Sequence, residues 1–171
     1  ADGSMSCDLR YKSHTIHDGK YNLEGLPAVY ASDEEAQTLE ILMEDQVTGV
    51  KVILLYGVLS KLDIITRSVC IKNESNGKIY LNKIESASLD FLYGEYELLT
   101  FYGRHAMERN VQRVPVVHGT QKIGSVRGTS SHQYNPMMIL AERETTEDKG
   151  NCYAMSFVYS GCFQGEVLRD Q

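Results

Sequence analysis

Two adjoining runs in which apolar and polar residues alternate constrain the fold of this chain more than any other feature. The runs are TLEILMED (38–45) and VKVILLYG (50–57), and VTG (47–49) lies between them. The apolar residues that fall on one face are Leu39, Ile41, Met43, Val50, Val52, Leu54 and Tyr56. Period-two runs on either side of a glycine-bearing turn predict a β-hairpin. Residues 33–45 also contain helix formers, but the apolar spacing of two favours a strand.

Further strand-like runs recur along the chain at short intervals. They are IITRSVCIKN (64–73), KIYLNKIESASLDF (78–91), YELLTFYG (96–103) and CYAMSFVYSG (152–161). The Asn-Gly pair at 76–77 suits the two left-handed positions of a type I′ turn, which predicts a hairpin between the first two of these runs. Many strands without helical interludes predict an all-β sandwich.

The stretch 103–136 differs from the rest of the chain. It carries Arg104, Arg109, Arg113 and Arg127 among few apolar residues. We expect long connecting loops interrupted by short strands here. Long loops are uncommon inside a compact domain unless they are functional or pack against another element.

The net charge of −6 excludes some classes of function. A nucleic-acid-binding protein needs a basic face to meet phosphates, and adhesion to an anionic membrane needs the same, so neither partner is predicted. No apolar run approaches the roughly 20 residues of a membrane span, and no signal peptide is visible.

The cysteine and histidine positions do not predict a metal site. Cys7, Cys70, Cys152 and Cys162 contain no C-x-x-C pair. His14 and His17 are three apart, which in a strand points them to opposite faces. We predict no metal and no cofactor. A chain of this size does not need disulfides to fold, so the cysteines are interpreted as reduced thiols of a cytoplasmic protein.

Both ends of the chain suggest a piece of a longer protein. Residues 1–5 are interpreted as an expression remnant, and residues 6–171 as a single β-sandwich domain. The final GEVLRDQ (165–171) resembles the beginning of a strand.

The segment RGTSSHQYNP (127–136) concentrates side chains that catalysis could use. A serine hydrolase needs a serine beside an imidazole that a carboxylate holds in place. Ser130, Ser131 and His132 are adjacent, which points their side chains in different directions, and no G-x-S-x-G elbow is present. A turn fixed by serine, threonine and asparagine side chains is the better interpretation. Acidic residues near turns are interpreted as solvated rather than as a glycosidase pair; they include Asp90, Glu95, Glu97, Glu108, Glu144, Glu147 and Asp148.

Seven stretches in a set order carry a family resemblance. They are DGKYNLEGLPAVY (18–30), LEILMEDQVTGVKVILLYGV (39–58), DIITRSVCIKN (63–73), ASLDF (87–91), ERNVQRVPVVHG (108–119), RGTSSHQYNPMMILA (127–141) and YAMSFVYSGCF (153–163). Together they resemble the N-terminal domain of bacterial α-galactosidases of glycoside hydrolase family 36, which cleave raffinose and melibiose. Met137 and Cys162 depart from the phenylalanine and asparagine frequent in that family, which affects local packing and any polar contact at position 162.

The resemblance implies an all-β, large antiparallel β-sandwich of the galactose-mutarotase-like supersandwich type. In that family a catalytic barrel follows this domain and supplies both aspartates of a retaining mechanism. No catalytic residue therefore transfers to this chain, and we expect it to be inactive alone. The implied partners are the remainder of its own chain, sister subunits of a bacterial cytoplasmic homotetramer and, through the parent enzyme, an α-galactoside.

The resemblance also implies a role for the polar segment, as an interface loop toward the barrel or a sister subunit. The expected interface residues are Arg104, Arg109, Arg113, Arg127, Ser131, His132 and Asn135. The arginines would pair with carboxylates across that interface. Two alternatives remain. One is a carbohydrate-binding module that uses tyrosine platforms, and the other is a small esterase based on Ser131 and His132.

Overall fold

A computed structural model describes residues 6–170, and the chain divides into two compact units, the first ending at Asp90 and the second beginning at Phe91. The expression remnant predicted for residues 1–5 lies outside the described residues. Apart from a single 3-10 turn at Ser60–Leu62, all regular elements in the described range are β-strands. The all-β prediction is confirmed. The single-domain assignment for 6–171 stays a prediction.

The first unit contains one antiparallel sheet of four strands in the order β1-β2-β3-β4. Its strands are β1 (Arg10–Asp18), β2 (Gln37–Glu44), β3 (Val50–Leu59) and β4 (Ile64–Asn73). The register of the central pair places Leu39 opposite Tyr56, Ile41 opposite Leu54 and Met43 opposite Val52. The alternating apolar residues therefore share one face, and the predicted hairpin is confirmed.

The turn between β2 and β3 is organised by Asp45, a carboxylate that is only 3% exposed. Its Oδ1 accepts hydrogen bonds from the backbone N–H groups of Val47 (2.9 Å) and Thr48 (3.1 Å), and Oδ2 accepts one from Asp8 (3.1 Å). Gly49 closes the turn at φ 72°, a conformation that glycine adopts without steric cost. Because the Thr48 N–H and the other donors stabilise the ionised form, the pKa of Asp45 falls from 3.8 to about 2.

Tyr21 covers the opposite face of this sheet. Its backbone N–H donates to Thr38 Oγ1 (2.9 Å), and its hydroxyl lies 3.0 Å from Ser68 Oγ. The ring lies over Gly57, where a Cβ atom would come within 2.5 Å of Thr66 Oγ1 and 3.3 Å of the ring. Glycine at this strand position therefore allows the close approach of an aromatic ring.

The predicted hairpin after β4 is wrong. Residues 74–95 contain no strand, and neither Asn76 nor Gly77 has a positive φ. The side chain of Asn73 forms an Asx turn instead: its Oδ1 accepts from the Ser75 N–H (3.0 Å), and its Nδ2 donates to the Gly77 carbonyl (2.8 Å). The bond to the Ser75 N–H competes with the predicted hairpin, because a type I′ turn centred on Asn76 and Gly77 would pair the same N–H across the hairpin.

The second unit contains a four-stranded sheet, β6-β5-β8-β9, and a two-stranded sheet, β10-β7, both antiparallel. The strands are β5 (Tyr96–Arg104), β6 (Met107–Pro115), β7 (Gly119–Ser125), β8 (Met137–Glu142), β9 (Cys152–Ser156) and β10 (Phe163–Arg169). The two sheets contact each other where the Met138 side chain lies beside Gly165 and where the rings of Phe157 and Phe163 are 6.1 Å apart. This pairing of layers is a small β-sandwich.

The expectation of long loops over 103–136 is mostly wrong. Strands β6 and β7 occupy sixteen of these positions, and irregular structure is concentrated at 126–136. Strand β6 is an edge strand, and most of its residues are exposed. Its apolar content is therefore low, and its sequence lacks the alternation that would predict a strand.

Replacing Asp45 with asparagine should destabilise the chain, because the amide cannot accept the bond from the Asp8 N–H at the Oδ2 position. The folded-state pKa is depressed, so this stabilisation is present above about pH 3.8 and is lost as the pH falls through about 2. We expect a melting temperature roughly 3 °C lower at pH 7, with the difference shrinking toward pH 2. Circular dichroism melts at several pH values measure this.

Asp90→Asn, which changes an exposed loop carboxylate, is the matched control and should leave the melting temperature unchanged. A deficit for Asp45→Asn that stayed constant from pH 7 to pH 2 would show that the carboxylate charge is not its source.

Candidate functional site

The hairpin between β5 and β6 contains a β-bulge at Gly103. Tyr102 pairs with Asn110 and Arg104 pairs with Met107, so Glu108 and Arg109 both lie opposite Gly103. A Cβ atom on Gly103 would overlap the Met107 carbonyl oxygen and approach the Glu108 Cα to 2.8 Å. Glycine is therefore required at this position for the bulge to form.

Two residues of this hairpin adopt the left-handed conformation although neither is glycine. Ala106 and Arg109 both have φ 60°. A non-glycine residue there costs roughly 1–2 kcal/mol. Bulges change the direction of side chains and are frequent next to functional sites. Arg109 and residues of the loop 126–136 line one cavity.

That loop is held by backbone hydrogen bonds to neighbouring segments. The Ser130 N–H donates to the Ser160 carbonyl (2.7 Å), and the Asn135 N–H donates to the Phe101 carbonyl (3.0 Å). An isolated bridge joins Ser131 to Tyr134. The backbone of RGTSSHQYNP is thus fixed at several points, as the turn interpretation requires.

A cavity of about 380 Å³ that is open to solvent lies between the hairpin and the loop, and it is here called the bulge cavity. Its lining residues are Glu108, Arg109, Ser130, Ser131, His132, Asn135 and Pro136. The structure therefore brings together four of the seven predicted interface residues: Arg109, Ser131, His132 and Asn135. Sequence reasoning missed the part played by Glu108 and Ser130, because only the bulge shows that they face this cavity.

The other three predicted residues lie elsewhere. Arg113 forms an ion pair with Glu97 (2.5 Å) and donates to the Thr145 carbonyl (2.8 Å), so its charge is used within its own unit. Arg104 donates to the Met107 sulfur (3.2 Å). Arg127 lies in the exposed loop after β7, and its guanidinium has no hydrogen-bond partner among residues 6–170.

The bulge cavity holds a surplus of hydrogen-bond donors. Within the described residues, the Arg109 guanidinium, the Asn135 amide and the Ser130 hydroxyl make no hydrogen bond, and the cavity is open to solvent. Its acidic member, Glu108, already accepts a bond from the Ala106 N–H (2.9 Å). Five guanidinium donors with no acceptor suit a carboxylate or another planar anion.

The cavity does not have the geometry of a serine hydrolase. In the described range, no hydrogen bond joins Ser130 or Ser131 to His132, and the Ser131 hydroxyl oxygen accepts from the Gln133 N–H (3.3 Å). The same range contains no group of three or more His, Cys, Asp or Glu side chains that could hold a metal ion. It also contains no helix long and apolar enough to cross a membrane.

A second cavity, of about 460 Å³, is lined by Arg169 and Glu95, which form an ion pair. Arg169 donates to both carboxylate oxygens of Glu95 (2.9 and 3.2 Å) and to the Val116 carbonyl (3.1 Å). The hydrogen bond and charge of Arg169 lower the pKa of Glu95. Arg143 also lines this cavity, and its guanidinium makes no hydrogen bond within residues 6–170.

Comparison with known proteins matches residues 1–171 to the glycosyl hydrolase family 36 N-terminal domain. The chain is 58% identical over 169 residues to the bifunctional alpha-galactosidase/sucrose kinase AgaSK of Mediterraneibacter gnavus, covering 99% of this chain and 18% of that protein. It is 42% identical over 171 residues to alpha-galactosidase Mel36A of Lactobacillus acidophilus, covering 23% of its length.

The solved structures agree with these matches. Alpha-galactosidase AgaA from Geobacillus stearothermophilus superposes with a TM-score of 0.96 at 41% identity, over 99% of this chain and 24% of that one. A variant of the same enzyme was solved in complex with raffinose. The chain thus spans about a quarter or less of the length of these relatives.

Two substitutions test the bulge geometry. Gly103→Ala should destabilise the 171-residue chain by about 1–3 kcal/mol, because the new methyl group meets backbone atoms that cannot move separately. Ala106→Gly should stabilise it by about 0.5–1 kcal/mol, because relief of the left-handed strain exceeds the added chain entropy. Urea unfolding measures both. Equal stabilities of the two variants would contradict this description of the hairpin.

Proposed function

The chain belongs to the family of glycosyl hydrolase family 36 N-terminal domains, and on this premise we propose that it is the non-catalytic β-sandwich part of an α-galactosidase. The observation that carries the proposal is the coverage: almost the whole chain matches about a quarter or less of relatives that are named α-galactosidases. The parent protein would hydrolyse terminal α-galactosides of the raffinose or melibiose type, and the raffinose complex of the Geobacillus relative supports this substrate class.

The acidic residues of this chain support a non-catalytic role. Retaining hydrolysis needs two carboxyl groups about 5–5.5 Å apart, one as nucleophile and one as acid and base. Glu95 pairs with Arg169, Glu97 pairs with Arg113, and Glu108 accepts from a backbone N–H. Carboxylates held by such partners are structural, so we assign the catalytic pair to the remainder of the parent chain.

Exposed apolar side chains support a scaffold role. Tyr80, Leu81, Ile84 and Leu89, all in the irregular segment after β4, are exposed by 85%, 55%, 53% and 61%. A series of large exposed apolar residues is typical of a surface that another protein element covers. In this proposal the covering elements are the catalytic barrel of the same chain and the sister subunits of a homotetramer.

The unpaired cysteines support a bacterial cytoplasmic location for the parent protein. Cys7, Cys152 and Cys162 are exposed, and Cys70 is half-buried; none forms a disulfide. Exposed free thiols persist in a reducing compartment.

A carbohydrate-binding role is the second candidate, because an aromatic cluster lies in the second unit. The ring of Phe91 is 4.9 Å from that of Tyr153 and 5.5 Å from that of Tyr96, and Phe91 and Tyr153 are 39% and 45% exposed. The rings are inclined to each other by 60°, which gives a less even surface for a sugar ring than coplanar rings would.

Galactose release from raffinose tests the leading proposal. The full-length protein should release galactose, and the 171-residue chain should release none, because the catalytic carboxylates lie outside it. Amide NMR of the isotope-labelled chain during the same titration should show no shifts. Release by the chain alone, in a preparation free of contaminating enzyme, would overturn the proposal. Localised shifts at Phe91 and Tyr153 without release would favour the carbohydrate-binding role.

A further inference from the structure

The bulge cavity combines a strained residue with unused donors. Arg109 occupies a left-handed position where glycine would cost less; the residue lines the cavity, and its guanidinium makes no hydrogen bond within the described residues. The Gly103 bulge and the fixed backbone of the loop hold both sides of the cavity in place. Backbone strain is concentrated at functional sites. Strain at Arg109, whose charge has no partner within the described residues, therefore indicates a function for that charge.

The chemistry of the lining selects the kind of group that fits. Arginine binds carboxylates in bidentate geometry, and the Ser130 and Asn135 side chains add donors beside it. No Phe, Tyr or Trp ring lines the cavity, so a broad platform for a sugar ring is missing. A carboxylate carried by a protein side chain satisfies these donors better than a neutral sugar does.

The polarity of the cavity also indicates where the carboxylate comes from. Stable contacts between subunits are apolar at their centre and bury large areas, whereas interfaces between domains of one chain are more polar. A tethered partner also acts at high effective concentration, so a few polar contacts are enough to hold it. The geometry therefore points to the bulge cavity as the place where an acidic side chain from the remainder of the same parent chain docks, with Arg109 as its main partner. This inference rests on the proposed function only in requiring that the parent chain contain a further domain.

Photo-crosslinking in the full-length protein tests the inference. The exposed His132 is replaced with benzoylphenylalanine, and His105, in the hairpin turn outside the cavity, is replaced in the same way as a control. On irradiation the first variant should give an adduct that runs at monomer mass and joins residue 132 to a peptide outside residues 1–171 that carries Asp or Glu. The His105 control should not give this adduct.

Two further substitutions, each added to the His132 crosslinking variant, test whether the Arg109 guanidinium is responsible for the contact. Arg109→Gly and Ala106→Gly both relieve a left-handed residue in the same hairpin, but only the first removes the charge. Arg109→Gly should lower the adduct yield roughly 5-fold to 10-fold, as expected for the loss of one charge-assisted contact. Ala106→Gly should leave the yield unchanged. Equal yields from the two variants would overturn the role of Arg109.

The remaining outcomes separate the alternatives. An adduct at dimer mass would show that a sister subunit occupies the cavity. Loss of the adduct when raffinose is added, with no other change, would show that the cavity binds sugar. Either result overturns the inference. Galactose release is measured in parallel. An active protein with no adduct defeats only the docking inference, whereas an inactive protein with the monomer-mass adduct defeats only the proposed function.

Discussion

The carboxylate of Asp45 sets the geometry on which the first sheet depends. It is almost completely buried, and the backbone N–H groups that it satisfies belong to the turn between β2 and β3 and to the segment before β1. A shift of one residue in this turn would move every apolar side chain of the hairpin to the other face. The hydrogen bonds of one side chain therefore hold the register that places Leu39, Ile41 and Met43 together.

The second unit depends on a different local constraint, which is the absence of a side chain at Gly103. Gly103 has no Cβ, which lets two residues of β6 lie opposite it. The bulge contains Arg109, which lines one cavity with residues of the polar loop, and the loop is bonded to Phe101 of β5. The cavity is thus a consequence of backbone geometry, and its charge comes from a residue that is strained in this position. Such an arrangement is stable only because the surrounding strands determine it.

The alternation of apolar and polar residues predicted strands that have one apolar and one polar face. It did not predict strands whose two faces are similar in polarity. The hairpin of β2 and β3 was expected at nearly its observed bounds because its apolar residues alternate, and β4 was expected because its run is rich in β-branched residues. For edge strand β6 only short strands between long loops were expected, because an exposed strand needs no apolar face. The hairpin after β4 was expected and is absent; the Asn73 side chain binds the Ser75 N–H, which the hairpin would use, and the Gly77 carbonyl. Four of the seven predicted interface residues share a cavity, while Arg113 is paired with Glu97 across the β5–β6 ladder.

By itself the sequence determined the all-β class, the family and the turn-like character of RGTSSHQYNP, because these depend on local spacing and on ordered motifs. Only the tertiary structure decided which polar residues meet. Arg109 and Asn135 are far apart in the chain, and they share the bulge cavity because of one bulge and two backbone hydrogen bonds between segments. Contacts of this kind follow from the pairing of strands, which no local pattern records.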